Sequence, residues 1–109
     1  MSGNTTETLR QEYEMSVRAI RSRVELMRQD ARPIEEIARA AHAERRKLAA
    51  IFKARTPEPM HSLICQRTLT VYGDPRGPTI GMLRAKGKTW AEILESAMRP
   101  GRLDWVDDG

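Results

Sequence analysis

The sequence predicts a small, mainly α-helical domain, and three observations support this fold class. Hydrophobic residues make up 39% of the chain but aromatic residues only 5%, which is typical of a core built from Ala, Leu, Ile, Val and Met. Apolar residues recur at three- and four-residue steps through the first half of the chain. A length of 109 residues accommodates one compact core. We therefore expect residues 1–109 to form a single, mainly α domain.

The first predicted element is a long amphipathic helix over residues 6–29. Its apolar positions share one face and are Leu9, Tyr13, Val17, Ile20, Val24 and Met27. Thr5 or Thr6 is placed to cap its start. The helix should end near Asp30, because Pro33 disfavours helical geometry at the residue before it.

A second helical stretch begins after Pro33, whose missing N–H is tolerated in a first helical turn. Glu35 and Glu36 then complement the positive end of the helix dipole. The apolar positions of this stretch are Ile34, Ile37, Ala38, Ala41, Leu48, Ile51 and Phe52. Residues 42–44 lie between its two apolar sets, and their conformation stays open: they form either a turn or part of one continuous helix.

Residues 57–78 are predicted to contain a linker, a short ordered segment and a loop. Pro57 and Pro59 end the helical run. Residues 63–72 are rich in β-branched and aromatic residues, which predicts a strand, with a short helix from Met60 as the alternative. The cluster of turn formers from Gly73 to Pro78 predicts a loop, and a β-hairpin around it would form a wing.

A pair of short helices is predicted over 79–86 and 89–98, separated by Gly87. Thr89 and Glu92 have the spacing of a capping box. The apolar positions of the pair are Ile80, Leu83, Trp90, Ile93, Leu94 and Ala97. Trp90 is predicted in the core or at an interface. The acidic tail, residues 100–109, is expected to be partly mobile, with Trp105 as a candidate hook for a partner.

Charge and cysteine content limit the possible functions and cellular compartments of the protein. Residues 1–55 hold 12 basic and 8 acidic side chains and residues 56–109 hold 7 of each, so the whole net charge of +4 lies in the first half. We find no signal-peptide pattern and no apolar run long enough for a membrane span. The single cysteine, Cys65, agrees with a reducing compartment. We therefore expect a cytoplasmic protein that does not contact membranes.

The sequence offers little support for catalysis, a cofactor or a metal. No nucleophile has a recognisable base partner, so we expect a binding protein rather than an enzyme. His61 and Cys65 could share a helix face, but two ligands do not make a zinc site. We expect neither a cofactor nor a metal site.

Residues 32–56 read RPIEEIARAAHAERRKLAAIFKART. This segment resembles the first helix-turn-helix of AraC-type transcription regulators, in which a turn separates a helix like IEEIA from a recognition helix like RRxLxxxFK. The resemblance implies a helix-turn-helix unit over residues 5–56, with the preceding helix as the third side of a tri-helical core. It also implies a turn at Ala41–Glu44.

The function implied by this resemblance is regulation of transcription by binding duplex DNA. Residues 44–55 would lie in the major groove, where exposed side chains meet phosphates and base edges. The implied DNA contacts are Arg45, Arg46, Ala49 and Lys53 on the recognition helix, with Arg39, Arg32 and Arg28 near phosphates. A unit of this size usually gains affinity by forming a homodimer on two half-sites.

The alternative is a helical hairpin, because the segment departs from the family pattern at two positions. The family usually has glycine where His42 stands and a serine-like cap where Glu44 stands, and both residues here are compatible with a helix interior. Residues 80–94 also look like the first two helices of such a motif, without a third. In this reading the chain is a protein-binding adaptor or an inhibitor (antiactivator) of another regulator or of polymerase.

Overall fold

The computed structural model describes residues 5–74 and 76–99, with side chains from Glu7 onward. This part of the chain contains five α-helices and no strand, so the prediction of a mainly α domain is confirmed. The helices are α1 (Thr5–Gln29), α2 (Ile34–Arg55), α3 (Met60–Tyr72), α4 (Ile80–Ala85) and α5 (Trp90–Met98). None of the described helices combines the length and apolar content needed to cross a membrane.

Helices α1 and α2 form an antiparallel hairpin. Ion pairs join the two helices along their length, with Arg55 near Glu12 at 2.9 Å and Arg23 near Glu44 at 2.7 Å. The inward face of α1 is the predicted one and consists of the buried residues Leu9, Tyr13, Val17, Ile20 and Val24. Periodicity alone therefore predicted which side of α1 packs against its neighbours.

Helix α2 is unbroken, so the turn predicted at Ala41–Glu44 is wrong. Ala41 is 4% exposed inside the main core. His42 lies within hydrogen-bonding distance of the Pro78 carbonyl, and Glu44 pairs with Arg23 of α1. None of the residues in this stretch is a helix breaker, and contacts on several sides hold them in helical geometry. The hairpin, which was the alternative to a tri-helical helix-turn-helix core, is the arrangement that forms.

The predicted helical pair at the C-terminal side is confirmed, and its second member closes the core. Helix α5 packs against both α2 and α1. Thr89 Oγ1 accepts a hydrogen bond from the Glu92 N–H at 3.1 Å, and Glu92 Oε1 accepts one from the Thr89 N–H at 2.9 Å, which completes the predicted capping box. The main core consists of Ile20, Val24, Ile37, Ala38, Ala41, Ile93, Leu94, Ala97 and Met98.

The strand predicted at residues 63–72 is wrong, because this segment is helix α3. A strand needs a neighbouring strand to satisfy its backbone groups, and the described chain offers none. The helix instead satisfies them internally and ends at Gly73, whose left-handed φ of 72° is favoured by glycine and whose N–H bonds to Leu69 O at 2.7 Å. Residues 64–72 therefore do not form half of a wing, although the predicted loop from Gly73 follows directly.

Two apolar residues of α2 face away from the core, contrary to the sequence-based phasing. Ile34 is 43% exposed and Ile51 is 47% exposed, whereas Phe52 is 8% exposed. Phe52 joins a second buried cluster with Leu9, Tyr13 and Val17, and the half-buried Leu48 links this cluster to the main core. The inward face of α2 is therefore narrower than its apolar content predicts.

Candidate functional site

The guanidinium of Arg45 lies against Tyr13 and the end of α5, so the expected projection away from the protein is wrong. Its Nε donates to the Tyr13 hydroxyl at 2.9 Å. Its Nη1 donates to the Ser96 carbonyl at 3.0 Å and to the Arg99 carbonyl at 2.6 Å. The last carbonyls of a helix have no intrahelical partner and carry partial negative charge. Arg45 thus caps the C-terminal end of α5 from the middle of α2.

Arg32 and Arg39, the predicted phosphate contacts, are exposed, and each has an acidic partner four residues away. Arg39 Nε donates to Glu35 at 2.9 Å, and Arg32 pairs with Glu36. Exposed pairs of this kind contribute little free energy. The structure therefore leaves both guanidinium groups about half exposed but already beside a carboxylate.

Trp90, a predicted partner-binding residue, is half-buried and packs against the main core. The guanidinium carbons of Arg39 and Arg84 lie 4.9 Å and 4.5 Å from the centre of its ring. Such distances are typical of cation–π contacts. The indole is therefore largely engaged within the chain, while the other predicted partner contact, Trp105, lies outside the described residues.

The other three predicted DNA contacts, Arg46, Ala49 and Lys53, line a cavity of about 330 Å³. The cavity lies between α2, α3, the loop after α3 and the end of α5, and we call it the α2–α3 cleft. Its apolar lining includes Phe52, Ile64 and Leu83, and its cationic lining consists of Arg45, Arg46, Lys53 and Arg76. The structure thus brings four predicted residues together, around a cleft rather than on an outward recognition surface.

Arg46 connects α2 to the loop after α3. Its Nε donates to the Arg76 carbonyl at 3.4 Å, and its Nη2 lies 3.7 Å from Asp74 Oδ2, beyond hydrogen-bonding distance. Nη2 is shielded from solvent and has no hydrogen-bond partner among the described residues. The Arg76 N–H donates to Asp74 Oδ1 at 2.8 Å, which lowers the pKa of that carboxyl and keeps it ionised.

His42 lies beside this loop with its Nε2 3.0 Å from the Pro78 carbonyl. A carbonyl accepts, so Nε2 carries the donated hydrogen. Burial lowers the pKa of the imidazole, and although the Pro78 hydrogen bond raises it, nearby Arg46 and Arg45 lower it further. The ring is therefore neutral at pH 7 and adds no positive charge to the cleft.

His61 and Cys65 share a face of α3, as their spacing predicts. Cys65 Sγ lies 3.8 Å from His61 Nε2, and His61 Nδ1 donates to the Lys53 carbonyl at 2.8 Å. The described residues contain no group of three or more His, Cys, Asp or Glu side chains arranged to hold a metal ion. The hydrogen bond of His61 fastens α3 to the end of α2.

Sequence reasoning missed the cleft because its walls come from segments far apart in the chain. Arg76, Gly77 and Pro78 lie more than twenty positions after α2 ends in the sequence and return to it across helix α3. The cluster of turn-forming residues after Tyr72 is the local feature that indicates a sharp change of chain direction there. Comparisons of the chain with protein-family models, with curated protein sequences and with solved structures give no match.

Proposed function

We propose that this chain is a helical protein-binding module, an adaptor or inhibitor, and that it docks its partner on the outer side of α3. The observation that supports the proposal is the exposure of large apolar residues on this helix. Leu63 is 50% exposed, Leu69 is 47% exposed and Val71 is 59% exposed. Within Met60–Tyr72, only Ile64 is buried.

The weak attachment of α3 is the first argument for a docking role. A helix of 13 residues is marginal in isolation and depends on burial of an apolar face. Here α3 contacts mainly α2 and buries one side chain, while Leu63, Gln66 and Leu69 follow one another along its outer side at three-residue steps. A partner laid along this outer face would bury apolar surface that the fold leaves in water.

The charge around α3 indicates the chemistry of the partner. Helix α3 contains no Asp or Glu and carries Arg67, while Lys53 and Arg76 lie along the adjacent cleft. Opposite charge favours encounter and fixes the register of an interface. We therefore infer a partner segment that combines apolar side chains with carboxylates, of the kind that an amphipathic acidic helix presents.

Binding of duplex DNA is the second candidate, and the net charge of +4 favours it. The arrangement of α2 favours it less, because α1, α5 and α3 all contact this helix and Arg45 is engaged with α5. We expect retention of the full chain on duplex DNA or heparin to be weak at physiological salt. Steep salt-dependent retention, with a slope that falls when Arg39 or Arg46 is replaced, would instead support DNA binding.

The docking proposal predicts that a photocrosslinker on the outer side of α3 will capture the partner. With a photoreactive amino acid at Gln66, which is exposed between Leu63 and Leu69, the chain should crosslink to a specific protein in cells that express it naturally. The double variant Leu63→Gln, Leu69→Gln should abolish that crosslink. It should also weaken the affinity for the identified partner at least tenfold, or about 1.4 kcal/mol, because apolar anchors carry most interface free energy.

The matched control is Met15→Gln, Leu26→Gln on α1, where the two residues are 68% and 63% exposed. This pair should leave both the crosslink and the affinity unchanged. If the α1 pair abolished binding and the α3 pair preserved it, the docking surface would belong to α1. Circular dichroism of each variant shows that the helices are intact.

A further inference from the structure

The α2–α3 cleft combines an apolar lining with a cationic side chain that carries a buried, unsatisfied hydrogen-bond donor. Phe52, Ile64 and Leu83 contribute apolar surface, and Arg46 supplies an N–H group that is shielded from solvent without a hydrogen-bond acceptor among the described residues. Leaving a charged donor in this state costs free energy, which an oxygen atom of a ligand would recover.

The charged side chains that line the cleft favour an anionic ligand. Four cationic side chains border the cleft, and none of its described lining residues is acidic. Arg45 already donates to a carbonyl at the end of α5, and Arg76 Nε lies 3.4 Å from Asp74 Oδ1. Among the described residues, Arg46 Nη2 is the buried side-chain nitrogen that has no hydrogen-bond partner. A guanidinium binds a carboxylate with well-defined hydrogen-bond geometry.

The volume limits the size of the ligand. A cavity of about 330 Å³ lies at the small end of the range for ligand pockets. At about 30 Å³ for a water molecule, this space accommodates on the order of ten non-hydrogen atoms. An inorganic anion would leave the apolar lining uncovered, and a neutral apolar ligand would leave Arg46 unsatisfied.

We propose that the α2–α3 cleft binds a small organic carboxylate whose apolar body occupies the space beside Phe52, Ile64 and Leu83, with Arg46 holding the carboxylate. This site goes beyond the protein-binding role proposed above and does not depend on it. The docking surface uses the outer side of α3, whereas the cleft lies beneath its inner side.

Octanoate and octanamide, with the same number of non-hydrogen atoms, test the site on the full chain. By isothermal titration calorimetry, octanoate should bind and octanamide should bind at least tenfold more weakly, because the amide lacks the charge. Arg46→Gln should lower the affinity for octanoate about tenfold and leave that for octanamide unchanged. The neighbouring Lys47→Gln, on an exposed position, is the matched control and should bind octanoate like the unmodified chain.

Amide chemical shifts should locate the bound octanoate among residues of α2, α3 and the loop after α3. Equal affinities for the two compounds, no binding of octanoate, or perturbed shifts confined to exposed apolar residues such as Met15 and Leu26 would each overturn the proposal. The comparison of octanoate with octanamide uses the unmodified chain, so it decides the question even if Arg46→Gln does not fold. The Leu63→Gln, Leu69→Gln variant should keep octanoate binding, which separates this site from the docking surface.

Discussion

Replacing Phe52 with alanine should lower the free energy of unfolding by about 3–5 kcal/mol. Phe52 is 8% exposed, and its ring meets that of Tyr13 edge-on with centroids 5.5 Å apart. It is the contribution of α2 to the buried cluster that otherwise comes from α1. Its removal would leave a cavity between the two arms of the hairpin and would open one wall of the α2–α3 cleft. Equilibrium denaturation in urea measures the change.

The neighbouring residue provides the control for this prediction. Ile51 is 47% exposed, so Ile51→Ala should lower the free energy of unfolding by about 1 kcal/mol or less. Equal losses for the two variants would contradict the orientation of α2 in the structure. A loss below about 1 kcal/mol for Phe52→Ala would show that its side chain does not hold the hairpin together.

Local sequence signals predicted the elements that depend on local physics. The apolar spacing of α1, the effect of Pro33 on the chain before it and the Thr89–Glu92 capping box all act within a few residues. Hydrogen-bond partners that lie so close in sequence need no knowledge of the rest of the fold. These features were predictable for that reason, as was the mainly α class of the domain.

Elements decided by distant contacts could not be predicted in the same way. The helical state of residues 41–44 is reinforced by Arg23, which lies a helix earlier, and by the Pro78 carbonyl, which lies beyond α3. The choice between strand and helix for residues 63–72 depended on whether any neighbouring strand existed. Composition favoured a strand there, and the helical surroundings overrode that preference.

The candidate site shows how the same residues can support different functions when their directions change. The run Arg45, Arg46 and Lys47 suggested an exposed basic surface on a recognition helix. Of these three residues only Lys47 is exposed in the structure, while Arg45 and Arg46 are half-buried. Of the residues that predicted DNA contact, Arg45 therefore caps α5 and Arg46 lines the α2–α3 cleft.

Replacing Arg45 with methionine should lower the free energy of unfolding by about 2–3 kcal/mol, since a hydrogen bond to a charged group contributes about 1.5–3 kcal/mol. Methionine keeps the aliphatic stem, so the loss reports the guanidinium. By donating to the carbonyls of Ser96 and Arg99, the guanidinium links Arg45 to residues that lie 51 and 54 positions later in the chain. It also donates to the Tyr13 hydroxyl.

Lys47→Met on the exposed side of the same helix is the matched control and should change the free energy of unfolding by less than about 0.5 kcal/mol. Combining Arg45→Met with Tyr13→Phe should give less than the sum of the two single losses, because both changes remove the same hydrogen bond. An exposed arginine on a DNA-reading helix would show neither the loss nor the coupling, since exposed charges contribute little to stability. A stability loss near zero for Arg45→Met, with no coupling to Tyr13→Phe, would therefore contradict the α5 cap and support the outward position that the sequence predicts.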